Sequence, residues 1–348
     1  MMQPTADQTL MRDNAIRLLG DGAARTRAAT AEWPAIDRSI WLEVCRAGWP
    51  ALLLSEERGG WGASAIDMIA VLEGTFSTLA PEPLGPALSI TPLLARCGTK
   101  AADELLTRLL RGEALALMAG ADPFPISPGL DYVAFEANWA DTIICASGAG
   151  SDFRLWAIPS EGLDVHSPVR RTIDGGAQRV FPGSDAGWQE IGRGVDVEMA
   201  YEHAVNLQRL GAAAGLMGIA QRALDMTIDY LKVRQQFGQP IGAFQALQHR
   251  AASLHVACVA GRALVYEAGL SMGSARERVA CAMAKARSST TARDVLKECV
   301  QLHGAIGFSD EYDLAVCFRK VMTLASAYGT AEACAAIIAR EIGGAGRD

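Results

Sequence analysis

The string RQQFGQPI at residues 234–241 decides the fold, together with the string QLHGAIGF at residues 301–308. Both strings interrupt long runs that have helical periodicity. Their glycine and proline residues predict breaks between helices, because neither residue suits a helix interior. Glycine also lets backbone amide groups approach an anion at a helix end. The two strings therefore predict the ends of long helices.

Helical periodicity continues on both sides of these strings. Breaks at Phe237-Gly238-Gln239-Pro240, at Gly273-Ser274 and around Gly304 delimit the helices. Four long apolar-faced stretches with short connections favour a helical bundle. The predicted helices lie near residues 200–234, 242–271, 276–302 and 312–343.

Before the bundle, between Phe124 and Asp185, the sequence consists of short runs in which apolar and polar residues alternate. The runs at residues 132–135, 141–145 and 154–158 predict a small antiparallel β domain. Residues before about 115 again have helical periodicity. The predicted fold class is α+β, with an N-terminal helical domain at 1–115, a β-sandwich domain at 116–195 and a C-terminal four-helix bundle at 196–348.

Composition and net charge exclude two classes of binding partner. The net charge of -7 and the pI near 5.4 leave no basic surface for nucleic acid or an anionic membrane. No basic stretch leads into an apolar segment near the N-terminus. We therefore expect a soluble, cytoplasmic protein with neither nucleic acid nor a membrane as partner.

The eight cysteines and five histidines are widely spaced. No C-x-x-C and no H-x-x-x-H occurs, so we expect buried free thiols and no metal site. His303 is the histidine inside the 301–308 string.

Several strings in one order resemble the acyl-CoA dehydrogenase family. Besides residues 234–241 and 301–308, they are Glu57 to Gly62, Leu72-Glu73-Gly74, Gly329-Thr330 and Arg340-Glu341-Ile342. The resemblance spans essentially the whole chain. It implies the helical, β, helical architecture and the desaturation of an acyl-CoA thioester, with FAD as the hydride acceptor.

The resemblance also implies the cofactor-binding residues. In the family, FAD lies across a subunit interface, and its pyrophosphate and adenine half touches the neighbouring bundle. Arg234 offers a permanently charged fork for a pyrophosphate. Ala305 stands where the family usually has a second glycine. The matching residues are Arg234, Gln236, Phe237, Gln245, Gln301, Gly304, Ala305 and Thr330; each taken singly also fits an ordinary helix-end or surface role.

The catalytic base is the residue that the resemblance fails to supply. Family members use a glutamate, and its two family positions hold Tyr328 and Gln208 here. A phenol with a pKa of about 10 is a poor base, and an amide does not titrate. Glu332 and Glu202 are the nearby carboxylates. Arg209 matches a family arginine that lines the substrate site, or else is a helix arginine that reaches solvent.

The β domain departs from the family as well. The strand that carries Thr-Glu-Pro in the family corresponds to residues 118–125, which have no such sequence. Gly150-Ser151-Asp152 is interpreted as a turn between strands. Flavin-ring contacts from this chain are therefore not expected.

Three hypotheses of function follow. In the first, the chain is one subunit of an α2β2 acyl-CoA dehydrogenase, resembling the shorter subunit of steroid side-chain enzymes, and a homologous subunit supplies the glutamate. In the second, it is a self-sufficient homotetramer with an unusual base. In the third, it is a flavin-free scaffold.

Overall fold

A computed structural model describes residues 4–31, 37–120, 132–135, 140–163, 169–181 and 188–344. The chain divides into two compact units. The N-terminal unit comprises Arg27–Met68 and Pro81–Gln208, and the C-terminal unit comprises Met1–Thr26, Ile69–Ala80 and Arg209–Asp348. The boundaries at residues 115 and 195 stay a prediction.

Helices precede and follow the strands along the chain. The first helices are α1 (Ala6–Leu19), α2 (Gly22–Ala31), α3 (Arg38–Arg46), α4 (Ala65–Ser77), α5 (Leu84–Cys97) and α6 (Lys100–Leu110). The strands are β1 (Ala116–Met118), β2 (Tyr132–Phe135), β3 (Thr142–Ser147), β4 (Arg154–Pro159), β5 (Val169–Arg171), β6 (Ala177–Phe181), β7 (Gln189–Arg193) and the short β8 (Gln235–Gln236) and β9 (Gln239–Pro240). The last helices are α7 (Val195–Val233), α8 (Gln245–Leu270), α9 (Glu277–His303), α10 (Asp313–Ser326) and α11 (Ala331–Gly344).

Two sheets pack in the N-terminal unit. One has the order β1-β3-β4-β7 and the other the order β2-β6-β5. The first sheet shares a core with α5, α6 and the start of α7, around Leu94, Leu105 and Phe153. A second core between strands of both sheets includes Ile143 and Phe181. Burial on both sides explains why β3 is almost continuously apolar.

Most of the β-domain expectations are confirmed. The three predicted runs form β2, β3 and β4, and Gly150-Ser151-Asp152 is a short 3-10 turn between the antiparallel β3 and β4. The expectation of a purely antiparallel domain is wrong, because β1 pairs with β3 in parallel. The connection of more than twenty residues between those strands permits that direction. Residues 121–125, part of the strand compared with the family, lie outside the described residues, as does Asp185.

Helix α9 is central in the C-terminal unit and packs against α8, α10 and α11. Glycine lets α4 approach α7 there, since a Cβ at Gly218 would lie 2.4 Å from the Glu73 carbonyl oxygen. The Glu73 side chain is buried and forms an ion pair with Arg262 at 3.0 Å. This pair joins α4 to α8, and burial raises the pKa of Glu73 against the opposing effect of Arg262.

The fourth predicted helix, near 312–343, is wrong as a single helix. It breaks into α10 and α11 at Tyr328 and Gly329, whose φ angles are 58° and 103°. The segment Asp313–Gly343 is long and apolar enough to cross a membrane by length and composition. Each of its two helices has 14 residues, fewer than the ~20 that a crossing requires.

Candidate active site

The loop after α7 is a tight hairpin whose tip is Phe237 and Gly238. Strands β8 and β9 pair across it, and the two tip residues have φ angles of 53° and 80°. Two successive positive φ angles are typical of a type I′ turn, which favours asparagine and glycine. A phenylalanine in that conformation costs about 1–2 kcal/mol. Its side chain is also 90% exposed, so neither local conformation nor burial explains a phenylalanine there.

Polar side chains surround this tip and face solvent. Arg234 begins the hairpin, and its guanidinium has no hydrogen bond or ion pair with any described residue. The exposed side chains of Gln236 and Gln245 likewise have none with the residues the structure describes. Gln245 is the first residue of α8. These groups are thus available to a ligand that offers anionic and hydrogen-bonding atoms.

The end of α9 provides the second part of this surface. Gln301 is exposed in its last turn, and Gly304 ends the helix with φ 66° and ψ −143°. That backbone conformation is nearly confined to glycine. A Cβ at Gly304 would meet nothing within 4 Å, so the space beside it is open. Ala305 follows and is exposed in the 3-10 turn Gly304–Phe308.

Contacts between helices bring these segments together at one end of the C-terminal unit. Tyr230 of α7 stacks on His303 of α9, with ring centroids 4.5 Å apart. The Arg250 guanidinium of α8 donates a hydrogen bond to the Glu298 carboxylate of α9. The ends of α7 and α9 and the start of α8 therefore meet. We call this end the adenine-side surface; of the predicted cofactor residues it holds Arg234, Gln236, Phe237, Gln245, Gln301, Gly304 and Ala305.

Thr330 lies elsewhere in the unit. The residue before it, Gly329, accepts a hydrogen bond from Lys285 near the start of α9, at 2.9 Å. Lys285 and Gln301 are about 24 Å apart along the helix at 1.5 Å per residue. The Thr330 hydroxyl accepts from the Ala333 backbone amide at 3.2 Å and so caps α11. Thr330 is thus separated from the other predicted cofactor residues of the same chain.

The two predicted base positions hold no carboxylate. Tyr328 is half-buried in the left-handed break between α10 and α11. Gln208 is buried on α7, and its amide nitrogen has no hydrogen-bond partner among the described residues. A buried donor without a partner costs about 1–3 kcal/mol, which a ligand oxygen would recover.

The neighbouring arginine is also buried. Arg209 is 7% exposed, so it does not reach solvent as a snorkelling arginine would. Its charge opposes the burial and the Glu277 carboxylate that raise the pKa of Cys281. Arg209 and the buried Glu277 are therefore within electrostatic range of one thiol. Glu277 was not among the residues singled out from the sequence, because it begins a helix in an ordinary polar stretch.

Glu332 is exposed, and its side chain accepts from its own backbone amide and from Thr330, which lower its pKa. We expect Glu332→Gln to change the turnover of an assembled enzyme by less than about twofold, since loss of a general base costs about 10²–10⁴-fold. Steady-state kinetics measure this, with the exposed Glu311→Gln as control. A loss above a hundredfold in Glu332→Gln alone would establish Glu332 as the base.

Lys285 is a second buried charged residue that sequence reasoning missed. Its ammonium is 0% exposed and donates to Ser289 Oγ, Ala325 O and Gly329 O at 2.9–3.1 Å. A lone lysine inside the apolar run at residues 279–286 was the available signal, because buried lysine is rare unless it has partners.

The eight cysteines are buried and free, as expected. Burial raises the pKa of Cys45 and Cys299 to about 12, so their thiols stay protonated. Such thiols are unreactive. No cysteine chemistry belongs to the site.

Sequence comparison matches the chain to one family. The acyl-CoA dehydrogenase C-terminal domain matches residues 192–343, and the N-terminal domain of the same family matches residues 5–113. Acyl-CoA dehydrogenase IpdE2 of Mycobacterium tuberculosis is 31% identical over 323 residues, which cover 92% of this chain and 92% of that protein.

Solved structures share the fold. A variant of the Tcur3481-Tcur3483 steroid ACAD superimposes with a TM-score of 0.84 at 24% identity, over 98% of this chain and 99% of that one. The ChsE4-ChsE5 complex from Mycobacterium tuberculosis gives a TM-score of 0.81 at 20% identity, over 98% of each chain.

Proposed function

The chain belongs to the acyl-CoA dehydrogenase family of FAD-dependent oxidoreductases, and we propose that it is one subunit of a mixed α2β2 assembly. A related subunit supplies the catalytic glutamate and the flavin-ring pocket. This chain supplies the adenine-side surface. The reaction of the assembly is the α,β-desaturation of an acyl-CoA thioester.

The adenine-side surface is the observation that carries the proposal. The side chains of Arg234 and Gln301 have no hydrogen bond or ion pair with any described residue. The Phe237 ring meets the Phe244 ring edge-on at 6.1 Å but stays 90% exposed, and the space beside Gly304 is open. A charged fork suits a pyrophosphate, and glycine lets amide groups approach it. An exposed aromatic ring suits the flat face of an adenine. The donor set therefore fits the pyrophosphate and adenine half of FAD.

FAD, when bound, supplies the acceptor for the β-hydride of the thioester. The residues of this chain would hold it by its charged end. Arg234 would neutralise phosphate oxygens, and Gln245 and Gln301 would donate and accept at polar atoms. The separation of Thr330 from these residues supports a flavin that lies between subunits and not within one chain.

The base positions support a division of labour. Tyr328 and Gln208 do not remove an α-proton at neutral pH, because neither is an unprotonated base with a matched pKa. Glu332 is exposed and already bonded as a helix cap. A partner that carries the glutamate would complete the chemistry, and the acyl-CoA would then react on the partner's side of the flavin.

The relatives support both the pairing and a substrate class. Two structural neighbours are named as pairs of proteins, Tcur3481-Tcur3483 and ChsE4-ChsE5, and the first is named as a steroid ACAD. By analogy, the substrate is a bulky acyl-CoA thioester derived from steroid degradation. The buried free cysteines favour a reducing compartment and hence the cytoplasm.

Co-purification tests the proposal. We expect the chain alone to be colourless, and the chain co-expressed with a neighbouring acyl-CoA dehydrogenase-like gene product to form a yellow tetramer with one flavin per pair. Native mass and flavin absorbance measure this. A yellow homo-oligomer that bleaches with acyl-CoA would refute the pairing, and a colourless mixed tetramer would refute the flavin role.

A further inference from the structure

An aromatic cluster of Tyr230, His303 and Tyr312 lies beneath the adenine-side surface. Tyr230 is one turn before Arg234, whose backbone amide donates to the Tyr230 carbonyl oxygen at 2.9 Å. His303 is the last residue of α9 and is 4% exposed. Tyr312 directly precedes α10. The cluster therefore connects the ends of α7 and α9 to the residue that precedes α10.

Hydrogen bonds fix the state of the imidazole. His303 Nδ1 lies 2.8 Å from the Cys299 carbonyl oxygen, which only accepts, so Nδ1 carries the hydrogen. His303 Nε2 lies 3.2 Å from the Tyr312 hydroxyl. In a neutral ring Nε2 accepts, and the hydroxyl donates. One ring thus joins the end of α9 to Tyr312, which lies between the Gly304–Phe308 turn and α10.

Ring stacking connects a third segment, the end of α7, to His303 and Tyr312. The rings of Tyr230 and His303 are 4.5 Å apart and inclined by 24°, while those of His303 and Tyr312 are 5.2 Å apart. Gly307 packs onto the same ring residue, since a Cβ there would lie 3.2 Å from His303 Cβ. The position of Arg234 relative to Gly304 therefore depends on His303.

From this geometry we infer that His303 is a positioning residue for the flavin half-site: as a neutral ring it holds the Arg234 hairpin and the Gly304–Phe308 turn in the spacing that the pyrophosphate needs. The inference rests on the proposed function. His303 need not touch the ligand.

The surroundings favour the neutral ring. Burial lowers the pKa of His303, and the hydrogen bond to Cys299 opposes that effect in part. The titratable and charged groups facing the cluster are Tyr230, Asp229 and Arg222 from α7, Tyr312 and Asp313 from the start of α10, and Cys299 from α9. Of His303 and these neighbouring groups, His303 is the one whose ordinary pKa lies near 6.5. Acid should therefore act on the cluster through His303.

Acid should lower the stability of the folded chain through His303. The unfolded chain takes up a proton on His303 near pH 6.5, whereas the folded chain does so at lower pH. The neutral ring therefore stabilises the fold fully above about pH 6.5, and that stability is lost as the pH falls through the folded-state pKa. Flavin affinity should fall over the same range.

Three variants in the assembled pair test the inference. Tyr312→Phe removes the hydroxyl that bonds His303 and should raise the flavin Kd by about fivefold to tenfold. The control is Tyr266→Phe, because the buried Tyr266 hydroxyl has no partner among the described residues; its Kd should stay within about twofold. His303→Gln keeps a donor and an acceptor but does not titrate. It should retain most affinity at pH 7.5 and lose less than wild type at pH 5.5.

The outcomes separate the inference from the proposed function. Equal flavin Kd values for Tyr312→Phe and Tyr266→Phe, or equal acid-side losses for wild type and His303→Gln, would overturn the inference in a pair that binds flavin. A wild-type pair without flavin would refute the proposed function instead. The thermal unfolding temperature of the chain at pH 7.5 and 5.5 then decides: a smaller acid-side decrease in His303→Gln supports the role of His303, and an equal decrease overturns it.

Discussion

Arg234→Ala is expected to strip the flavin from the assembled pair. The guanidinium is exposed and has no partner among the described residues, so its removal leaves the phosphate charge without its forked donor. Hydrogen bonds to charged groups contribute about 1.5–3 kcal/mol, which corresponds to roughly a tenfold to hundredfold rise in the flavin Kd. Because the Arg234 side chain makes no hydrogen bond or ion pair with a described residue, the variant should unfold at the temperature of the wild type. Flavin fluorescence and thermal unfolding measure the two quantities.

Two further substitutions make the Arg234 result specific. Arg234→Lys keeps the charge but loses the planar fork, so we expect an intermediate Kd. Arg276→Ala removes an exposed arginine just before α9, at the helix end remote from Gln301, and should leave the Kd unchanged. If Arg234→Ala binds flavin as tightly as the wild-type pair, the adenine-side surface is not the flavin site. If neither pair contains flavin, the chain is a scaffold.

Sequence patterns predicted the elements of the adenine-side surface but not its arrangement. Phe237-Gly238 and Gly304 predict breaks between helices, because tight turns and helix ends often require positive φ angles. That the two breaks meet depends on the stack of Tyr230 on His303, which no local pattern encodes. The family resemblance predicted that the two breaks lie together, whereas the residues alone did not.

The division of the fourth helical stretch was hidden for a different reason. Residues 313–343 have an unbroken apolar periodicity, and Tyr328 carries no conformational preference for a break. Gly329 was the one local signal. The break exists because tertiary contacts hold it, with Lys285 as their centre. A buried partner from another helix overrides propensity, which is a weak prior.

Helix α9 thereby joins two separate parts of one subunit. Its end carries Gln301 and Gly304 on the adenine-side surface, and its first half anchors Gly329, next to the base position at Tyr328. In a symmetric family enzyme every subunit would use both parts. We propose that here only the first is used for catalysis, while the second persists as structure. A substitution in the second part should therefore lower the free energy of unfolding and leave the flavin Kd nearly unchanged.

Lys285→Met is the substitution that tests this division, and it should be strongly destabilising. The ammonium is fully buried and donates to Ser289 Oγ, Ala325 O and Gly329 O. Methionine has a similar length but no donor, so two backbone carbonyls at the end of α10 lose this charged partner. Each unsatisfied buried group costs about 1–3 kcal/mol, so we expect a loss of about 3 kcal/mol or more. For a unit of this size the unfolding temperature should fall by roughly 6–12 °C.

Lys297→Met is the matched control for that change, since Lys297 is an exposed lysine of the same helix. Its effect should stay within about 0.5 kcal/mol, as for other surface substitutions. The break at Tyr328 depends on the bonds of Lys285, whereas the adenine-side surface lies about 24 Å along the helix. Lys285→Met pairs that remain folded at low temperature should thus bind flavin with nearly wild-type affinity. A large loss of flavin in pairs that remain folded would mean that the Tyr328–Thr330 turn also holds the cofactor, and that this chain uses both parts of its site.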